Sequence, residues 1–264
     1  MAEPCLLGAL WGDICGAPYE FAPERDPARV NLSHPKRHFT DDTVLTLAIA
    51  KALLEGRPYR DTLLELALAH PSAGYGGIFQ RLWIEARRPE PYGSYGNGAA
   101  MRVSPVAWAY HTLDDVLREA EASAACSHSH PDAIASAQAT ALALFLARKG
   151  QDKEEIAEAL EARFGYTFAQ DLPTLRAHAH ATGFDASWRA VPVALNVFLL
   201  TDDFEACLRQ AIALGADADT QANIACAVAE AYYGAPPTLA AQVQTFLPAS
   251  LRRILTAFWA KFGR

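Results

Sequence analysis

The pattern of apolar and polar positions is helical along almost the whole chain. Alanine and leucine recur at spacings of three and four residues, whereas valine, isoleucine and threonine form no alternating runs typical of strands. Within the segment 43–55, Val44, Leu47 and Ala48 share one face, and Gly56-Arg57-Pro58 gives a plain signal for the end of a helix. The pattern therefore predicts an all-α fold.

The same periodicity predicts further helices along the chain, and two stretches rich in glycine and proline predict long surface loops. The predicted helices cover 61–70, 77–86, 100–111, 113–126, 132–150, 153–165, 191–200, 203–215 and 220–234, with a last one beginning near Pro248. The predicted loops are 16–37 and 87–98. Since no internal repeat or low-complexity linker divides the chain, we expect a single domain over 1–264.

Composition and charge restrict the classes of function. The chain has 264 residues, of which 51% are hydrophobic, so it can bury a large core. A net charge of −7 without a lysine- or arginine-rich run argues against a general nucleic-acid or membrane-surface binder, while it allows a local pocket for an anion. The N-terminus lacks a cationic signal-peptide region, and no segment has the length of apolar residues that a membrane helix needs. Five scattered cysteines without a CxxC pair favour a reduced, cytoplasmic protein.

Two acidic strings stand where predicted helices begin. One is Thr40-Asp41-Asp42-Thr43 and the other, far along the chain, is Gly215-Ala216-Asp217-Ala218-Asp219-Thr220. Carboxylate and hydroxyl oxygens are hard ligands that suit Mg²⁺, Mn²⁺ or Ca²⁺ better than zinc. Two acid pairs from distant helix N-termini can hold two such ions about 4 Å apart.

Helix capping is the competing interpretation of these strings, because aspartate and threonine are preferred N-caps. The chain contains a comparison: Leu200-Thr201-Asp202-Asp203-Phe204 repeats the string before an amphipathic helix, and we assign it to capping. The pairing of 40–43 with 217–220 favours metal binding there. Of the two hydroxyls, we assign Thr40 to the metal and Thr43 to the cap or the first helical turn.

Six segments in a fixed order support a more specific hypothesis. They are GALWGDICGAPYEF (8–21), TDDT (40–43), YGGIF (75–79), SYGNGAAMRVSPVAW (94–108), SHSHPDA (127–133) and LGADADTQANIACAVAEAYYG (214–234). Together they resemble the ADP-ribosylglycohydrolase family, from about residue 6 to about residue 236. The resemblance implies an all-α orthogonal multi-helix bundle with a two-metal site at helix N-termini. It also implies metal-dependent hydrolysis of the bond between ADP-ribose and an acceptor.

The resemblance also assigns roles to individual residues. It implies that a pair of Mg²⁺ or Mn²⁺ ions is held by Thr40, Asp41, Asp42, Asp217, Asp219 and Thr220. It implies that Glu20 acts in catalysis or gating beside the metals. We expect a catalytic group formed by Glu20, Asp41 and Asp42, in which either Glu20 or Asp41 manages the proton. It implies contacts to ADP-ribose from Gly76, Gly77, Ser94, Tyr95, Gly96, Asn97, Gly98 and His128.

Four further positions carry expectations of their own. The family usually reads Gly-Gly-Asp where this chain has Gly215-Ala216-Asp217, and the added methyl matters if that residue needs a positive φ. We interpret Arg102 as a buried ion-pair partner that organises the site, and Asp13 as a structural link. His130, just before Pro131, is expected to be solvated or to cap a helix.

The acceptor half of the substrate stays open at this point. A modified protein side chain, a nucleic acid and a small molecule all share the ADP-ribose moiety that these motifs contact. A catalytically weak ADP-ribose-binding member, or a structural crystallin-like one, is the alternative function. Since such chains are expected to lose the metal acids, the retained acids and Glu20 favour an enzyme.

Overall fold

The chain folds into a bundle of α-helices. The structure, a computed structural model, describes residues 3–182 and 186–263, with the backbone alone for 178–182, so the predicted domain 1–264 extends beyond the described residues. Within them lie fourteen α-helices and no strand, with one isolated bridge between Gly96 and Ala186. The helices are α1 (Leu7–Gly16), α2 (Asp41–Glu55), α3 (Tyr59–Ala69), α4 (Gly77–Phe79, continued by a π-helix at Gln80–Glu85), α5 (Ser104–Ala109), α6 (Leu113–Ala125), α7 (Pro131–Arg148), α8 (Lys153–Phe164), α9 (Leu172–Thr182), α10 (Ser187–Leu199), α11 (Phe204–Leu214), α12 (Ala218–Tyr233), α13 (Leu239–Phe246) and α14 (Ala249–Phe262).

Helix α12 is the centre of the bundle. Every residue from Ala218 to Ala231 is buried, and α1, α7, α10 and α11 pack around it. A helix that is covered on all sides is a rigid support, because its side chains have little room to move. The acidic string at its start is therefore held at a fixed place at the edge of the core, with Asp219 buried and Asp217 half-buried.

Helix α1 lies unusually close to α12 because it presents glycines at every fourth position. A Cβ on Gly12 would lie 2.3 Å from the backbone oxygen of Ala222, and one on Gly16 would lie 2.5 Å from Cα of Asp219. Gly8 meets α12 in the same way. No larger residue fits at such distances, so this close approach of the two backbones depends on glycine.

Three helices are absent from the sequence prediction. Glycines lower the helix propensity of α1, which is stabilised by tertiary contacts: the Glu230 carboxylate accepts the N–H groups of Leu7 at 3.1 Å and Gly8 at 2.9 Å. Helix α13 has only eight residues, so its periodicity is weak, and α9 (Leu172–Thr182) was missed although it is as long as α3. The predicted helix 100–111 was too long, since the helix there begins only at Ser104-Pro105, where proline is favourable in the first turn.

The other predicted helices are confirmed, with boundaries that move by a few residues. The stretch 16–37 contains only two 3₁₀ turns, at Ala17–Tyr19 and Pro27–Arg29, and is otherwise irregular as predicted. None of the described helices combines the length and the apolar character that crossing a membrane requires.

Candidate active site

Helix α2 begins at the first acidic string. Thr40 is its N-cap, and the Thr40 hydroxyl accepts a hydrogen bond from the Asp42 N–H at 3.3 Å. The capping residue is therefore Thr40, while Thr43 lies in the first turn. As a consequence Asp41 and Asp42 are the first two helical residues, where the helix dipole favours negative charge.

Asp13, on α1, fixes this helix start from the other side. Its fully buried carboxylate accepts the Thr40 hydroxyl at 2.8 Å and the Thr43 N–H at 3.0 Å, together with the N–H of Thr40. The expected structural link is thus present, and it joins α1 to the start of α2. Because the Thr40 hydroxyl gives its proton to Asp13 and accepts one N–H, one lone pair on that oxygen remains free.

The second acidic string is a turn with an unusual backbone. Gly215 and Ala216 have φ values of +74° and +58°. Alanine in this region is strained by roughly 1 kcal/mol or more, so the departure from Gly-Gly-Asp does place a methyl where glycine fits best. Arg25, from the loop after Glu20, packs against Gly215 and donates to the backbone oxygen of Leu214.

The two acidic strings face each other across the site. Carboxylate oxygens of Glu20, Asp217 and Asp219 lie within 4.8 Å of one another. The Thr220 hydroxyl donates to Asp42 Oδ2 at 3.2 Å, which connects this cluster to the start of α2. Glu20, expected in catalysis, therefore also lies within reach of a cation bound by the second string.

The electrostatics of the site disfavour so many carboxylates without a counterion. Burial and then the charges of Asp13 and Asp217 raise the pKa of Asp41 to about 8. Burial and the charge of Asp219 raise the pKa of Asp42 well above its usual range, and burial with the charge of Asp217 does the same to the pKa of Asp219. The pKa of Glu20 is raised by burial and by Asp217. Bound cations would reverse these shifts.

The donor atoms fit divalent cations. All of them are carboxylate or hydroxyl oxygens, the donors that Mg²⁺ and Mn²⁺ prefer. Asp42 Oδ1 is buried and has no hydrogen-bond partner among the described residues. A buried charged oxygen without a partner is costly, so a cation is the natural partner for it.

The segment 94–98 brings the predicted ligand contacts to the acids. Asn97 donates through its side-chain nitrogen to Asp217 Oδ2 at 2.5 Å, and Gly96 pairs with Ala186 at the start of α10. The Ser94 hydroxyl accepts the Gly96 N–H at 3.2 Å, which stabilises the turn. Tyr95 is 52% exposed, so its ring is accessible to a ligand.

Two other glycine positions border the same site. Gly76 and Gly77 are exposed, and an added Cβ on either would meet nothing within 4 Å. They follow Gly74, where a Cβ would lie 3.9 Å from Asp41 Oδ1, so this turn runs along the first acidic string. Both glycines therefore lie near the first acidic string in an open part of the surface.

His128 lies behind Gly98 and is part of a buried polar chain. A Cβ on Gly98 would lie 3.0 Å from its Nε2. The Arg102 guanidinium donates to the Ser127 hydroxyl at 2.7 Å and to the Ser123 backbone oxygen at 2.9 Å, and Ser127 Oγ lies 2.8 Å from His128 Nδ1. The expected ion pair of Arg102 was wrong, since its partners within the described residues are a hydroxyl and a carbonyl.

The second Thr-Asp-Asp string, at 201–203, and His130 provide helix caps. Asp203 is the N-cap of α11, and its carboxylate accepts the Ala206 N–H at 2.8 Å. His130 is the N-cap of α7, with its Nδ1 accepting the Asp132 N–H at 3.2 Å. Both expectations are confirmed.

Sequence reasoning missed three contributors to the site. The glycines at 8, 12 and 16 set the approach of α1 to α12, and their four-residue spacing was the signal for it. Ser127 connects Arg102 to His128 and had no signal beyond its place in the Ser-His motif. Trp188, 41% exposed, lies 5.3 Å from the ring of Tyr95, and nothing local in the sequence connects these two residues.

Comparison with known proteins agrees with the all-α fold. The family described as ADP-ribosylglycohydrolase matches residues 2–262. The chain belongs to the ADP-ribosylglycohydrolase family. It is similar to ADP-ribosylhydrolase ARH3 of Mus musculus, at 28% identity over 87% of this chain and 83% of the relative, and to that of Homo sapiens, at 27% identity over 87% and 84%. A solved structure of an ADP-ribosylglycohydrolase-related protein complex matches with a TM-score of 0.71, 25% identity and coverage of 97% of this chain and 95% of that one.

Membership of the ADP-ribosylglycohydrolase family confirms the resemblance read from the motifs and the all-α fold. It also makes the protein a hydrolase that acts on ADP-ribosylated substrates. The coverage leaves no large part of the chain outside the match. The acids described above therefore belong to an ADP-ribosylglycohydrolase fold.

Proposed function

We propose that the protein is a divalent-cation-dependent hydrolase that cleaves the glycosidic bond between ADP-ribose and an acceptor, and that Mg²⁺ or Mn²⁺ binds between its two acidic strings. The observation that carries the proposal is the convergence of Glu20, Asp42, Asp217 and Asp219 in one partly buried cluster. Neighbouring carboxylates can bind a cation together, whereas without a cation their mutual repulsion and burial carry a large electrostatic penalty.

The residues that would hold the cations divide into two groups. Asp41 and Asp42, with the free lone pair of Thr40, form one side, and Asp217, Asp219 and Thr220 form the other. When bound, two divalent cations supply Lewis acidity to the ribose hydroxyls beside the scissile bond. The buried helix α12 and the Asp13 contact keep the protein oxygens in place for this.

The remaining residues would bind and orient the ADP-ribose half. The backbone N–H groups of Gly76, Gly77 and the 94–98 segment suit the diphosphate, and the accessible Tyr95 ring suits an aromatic or sugar face. Asn97 ties this segment to Asp217. The distance between the ligand contacts and the acids is thereby fixed.

We assign proton transfer to Glu20. Its carboxylate is only half-buried, it lies on a loop outside the helix starts, and its pKa is raised by burial and by Asp217. Glu20 takes the proton of the water that attacks the anomeric carbon, and the proton then passes to the acceptor atom as its bond to that carbon breaks. Asp41, the other candidate, is assigned to cation binding.

The test of the function is release of ADP-ribose from a panel of defined substrates. The panel carries ADP-ribose on protein side chains, on nucleic acid and on small molecules, and each is assayed with Mg²⁺, with Mn²⁺ and with a chelator. We expect turnover of at least one substrate that the chelator abolishes and added cation restores. Turnover that persists in chelator, together with a wild-type rate for Asp217→Ala, would refute the cation-dependent mechanism.

Two variants separate the assigned roles. Glu20→Gln should lose turnover and keep most of the stabilisation of the fold by cation, because it removes the proton acceptor and leaves the four aspartates of the two acidic strings in place. Asp41→Asn should lose both. If Glu20→Gln retains turnover, Asp41 becomes the proton-transfer group. Binding of ADP-ribose without release from any substrate would instead indicate the catalytically weak, ADP-ribose-binding alternative.

A further inference from the structure

We propose that Arg102 and Ser127 together hold His128 as the neutral tautomer with its proton on Nε2, so that this nitrogen donates a hydrogen bond to an oxygen of bound ADP-ribose. Arg102 and Ser127 are positioning residues in this arrangement, since they act through His128. The ligand half of the inference rests on the function proposed above, whereas the tautomer is a property of the protein alone.

The argument begins with the direction of the hydrogen bonds. A guanidinium group carries only donors, so the 2.7 Å contact from Arg102 makes Ser127 Oγ an acceptor. The serine hydroxyl has one proton left to give. The His128 Nδ1 atom lies 2.8 Å away and is a good acceptor when it is unprotonated. Ser127 therefore donates to Nδ1, and the proton of the neutral ring is on Nε2.

Two effects disfavour the opposite tautomer, which carries its proton on Nδ1. With a proton on Nδ1, the Ser127 hydroxyl would need another oxygen or nitrogen acceptor, and the hydrogen bonds of the described residues offer none. A proton on Nδ1 would also face the Arg102 cation. Burial and the Arg102 charge lower the pKa of His128 well below its usual range, so the ring stays neutral.

The position of Nε2 gives this proton a use. His128 retains 5% exposure, and no hydrogen-bond partner of its Nε2 is present among the described residues. The ring edge faces Gly98, where a Cβ would come within 3.0 Å of Nε2 and 3.2 Å of Cε1. The residue before Gly98 is Asn97, whose side chain donates a hydrogen bond to Asp217. The donor thus lies beside the segment 94–98, which Asn97 joins to the acids.

Burial of Arg102 also needs a reason. It is fully buried, its Nε and Nη1 atoms have no partner in the described part of the chain, and its pKa is lowered by burial. A buried cation without a carboxylate is unfavourable. Placing it behind Ser127 and His128 directs positive charge toward an anionic ligand through a neutral donor.

The test is a measurement of the imidazole nitrogens by NMR. The full chain is labelled with ¹⁵N-histidine, and two-bond ¹H–¹⁵N spectra are recorded near neutral pH, with His128 assigned by its loss in His128→Gln. We expect a pyrrole-type Nε2 and a pyridine-type Nδ1. Wild-type protein protonated on Nδ1 would overturn the proposal, and this spectrum decides the matter even if the serine variants described below do not fold.

Variants connect the tautomer to ligand binding. Ser127→Ala should mix the two tautomers and weaken ADP-ribose binding about tenfold, the usual scale for one lost hydrogen bond at a buried site. The effect should appear mainly in KM, with kcat changed less. Ser127→Thr restores the hydroxyl and should restore the Nε2-protonated pattern.

Ser123→Ala is the matched control, because it removes a buried hydroxyl on α6, near Ser127, while keeping the backbone oxygen that Arg102 contacts. It should leave both the spectrum and the binding unchanged. A wild-type spectrum and wild-type affinity in Ser127→Ala would refute the positioning role. Failure of turnover on every substrate would refute the proposed function instead, and would leave the measured tautomer standing.

Discussion

The tripeptide Thr-Asp-Asp occurs at 40–42 and again at 201–203, each time at the start of a helix, and the two copies differ in register and burial. In the second copy Asp203 is the cap, and both aspartates are exposed. In the first copy Thr40 is the cap, so Asp41 and Asp42 lie inside the first turn, and Asp42 is buried. A shift of the helix start by two residues separates a simple cap from a candidate metal site.

The surroundings explain this difference. The start of α2 is covered by α1, whose Asp13 accepts the Thr40 hydroxyl, and it faces the acids of α12 through Thr220. The start of α11 has no such cover over its two aspartates, which are exposed. Identical sequences therefore acquire different chemistry from the helices that pack on them, and each prediction below breaks or sharpens this comparison.

The largest expected effect is the loss of activity when one carboxylate of the first copy is neutralised. Asp42→Asn keeps the size of the side chain and removes its charge, so turnover should fall at least about a thousandfold. Asp203→Asn makes the same change in the second copy, where asparagine caps as well as aspartate, and should leave both turnover and stability unchanged. Rates of ADP-ribose release measure both. Equal rates for Asp42→Asn and wild type would end the distinction between the copies.

Filling the contact between α1 and α12 should have the next largest effect. A Cβ on Gly12 would lie 2.3 Å from the backbone oxygen of Ala222, so Gly12→Ala must push the helices apart and should destabilise the fold by about 1–3 kcal/mol. Urea unfolding measures the loss. Gly77→Ala, where an added Cβ meets no atom within 4 Å, is the stability control and should change little. An unchanged midpoint for Gly12→Ala would show that the approach does not depend on glycine.

The pH dependence of stability should follow the raised pKa values. In chelator, the folded chain binds more protons at Asp41 and Asp42 than the unfolded chain, because their pKa values are raised to about 8 and well above the usual range. These acids contribute their full stabilisation when the pH is below the pKa that they have in the unfolded chain. The stabilisation is lost as the pH rises through the pKa that they have in the folded chain. The free energy of unfolding should thus fall between about pH 4 and about pH 8.

The two copies should differ in this experiment as well. Asp42→Asn should flatten the decline, whereas Asp203→Asn should retain it. Thermal unfolding at several pH values in chelator gives the slope. A free energy of unfolding that rises over this range in wild type would contradict the assigned burial of the acids.

The smallest effect concerns the strained turn that carries Asp217. Ala216 has a positive φ, so Ala216→Gly should stabilise the protein by about 1 kcal/mol. Ala206→Gly is the same substitution in the first turn of α11, and there it should destabilise by about 1 kcal/mol. Opposite signs in chemical denaturation are the expected result. The same sign for both would mean that the backbone at Ala216 is relaxed.

Much of the fold could be predicted from the sequence, because amphipathic helices such as α6 and α11 carry their own signal. Helix α1 could not, since its glycines weaken the local propensity and its stability comes from α12 and Glu230, far along the chain. The limit is physical: contacts between distant residues override local preference.

The candidate site shows the same limit. The two acidic strings were recognisable, and their pairing was a sound hypothesis. The register that makes Thr40 the cap, and the path from Arg102 through Ser127 to His128, depend on tertiary contacts that no local rule describes. The sequence raised a positive φ at residue 216 only as a condition, from the glycine that the family usually has there, and the structure shows that φ is positive.

The most direct test of the central claim is to count bound Mn²⁺ by electron paramagnetic resonance, which detects the free ion. Chelator-treated wild-type protein is titrated beside Asp42→Asn and Asp203→Asn. The account predicts two tightly bound ions per chain in wild type and in Asp203→Asn, and a loss of tight binding in Asp42→Asn. Wild-type protein that binds no Mn²⁺ tightly, or Asp42→Asn that binds as much as wild type, would contradict it.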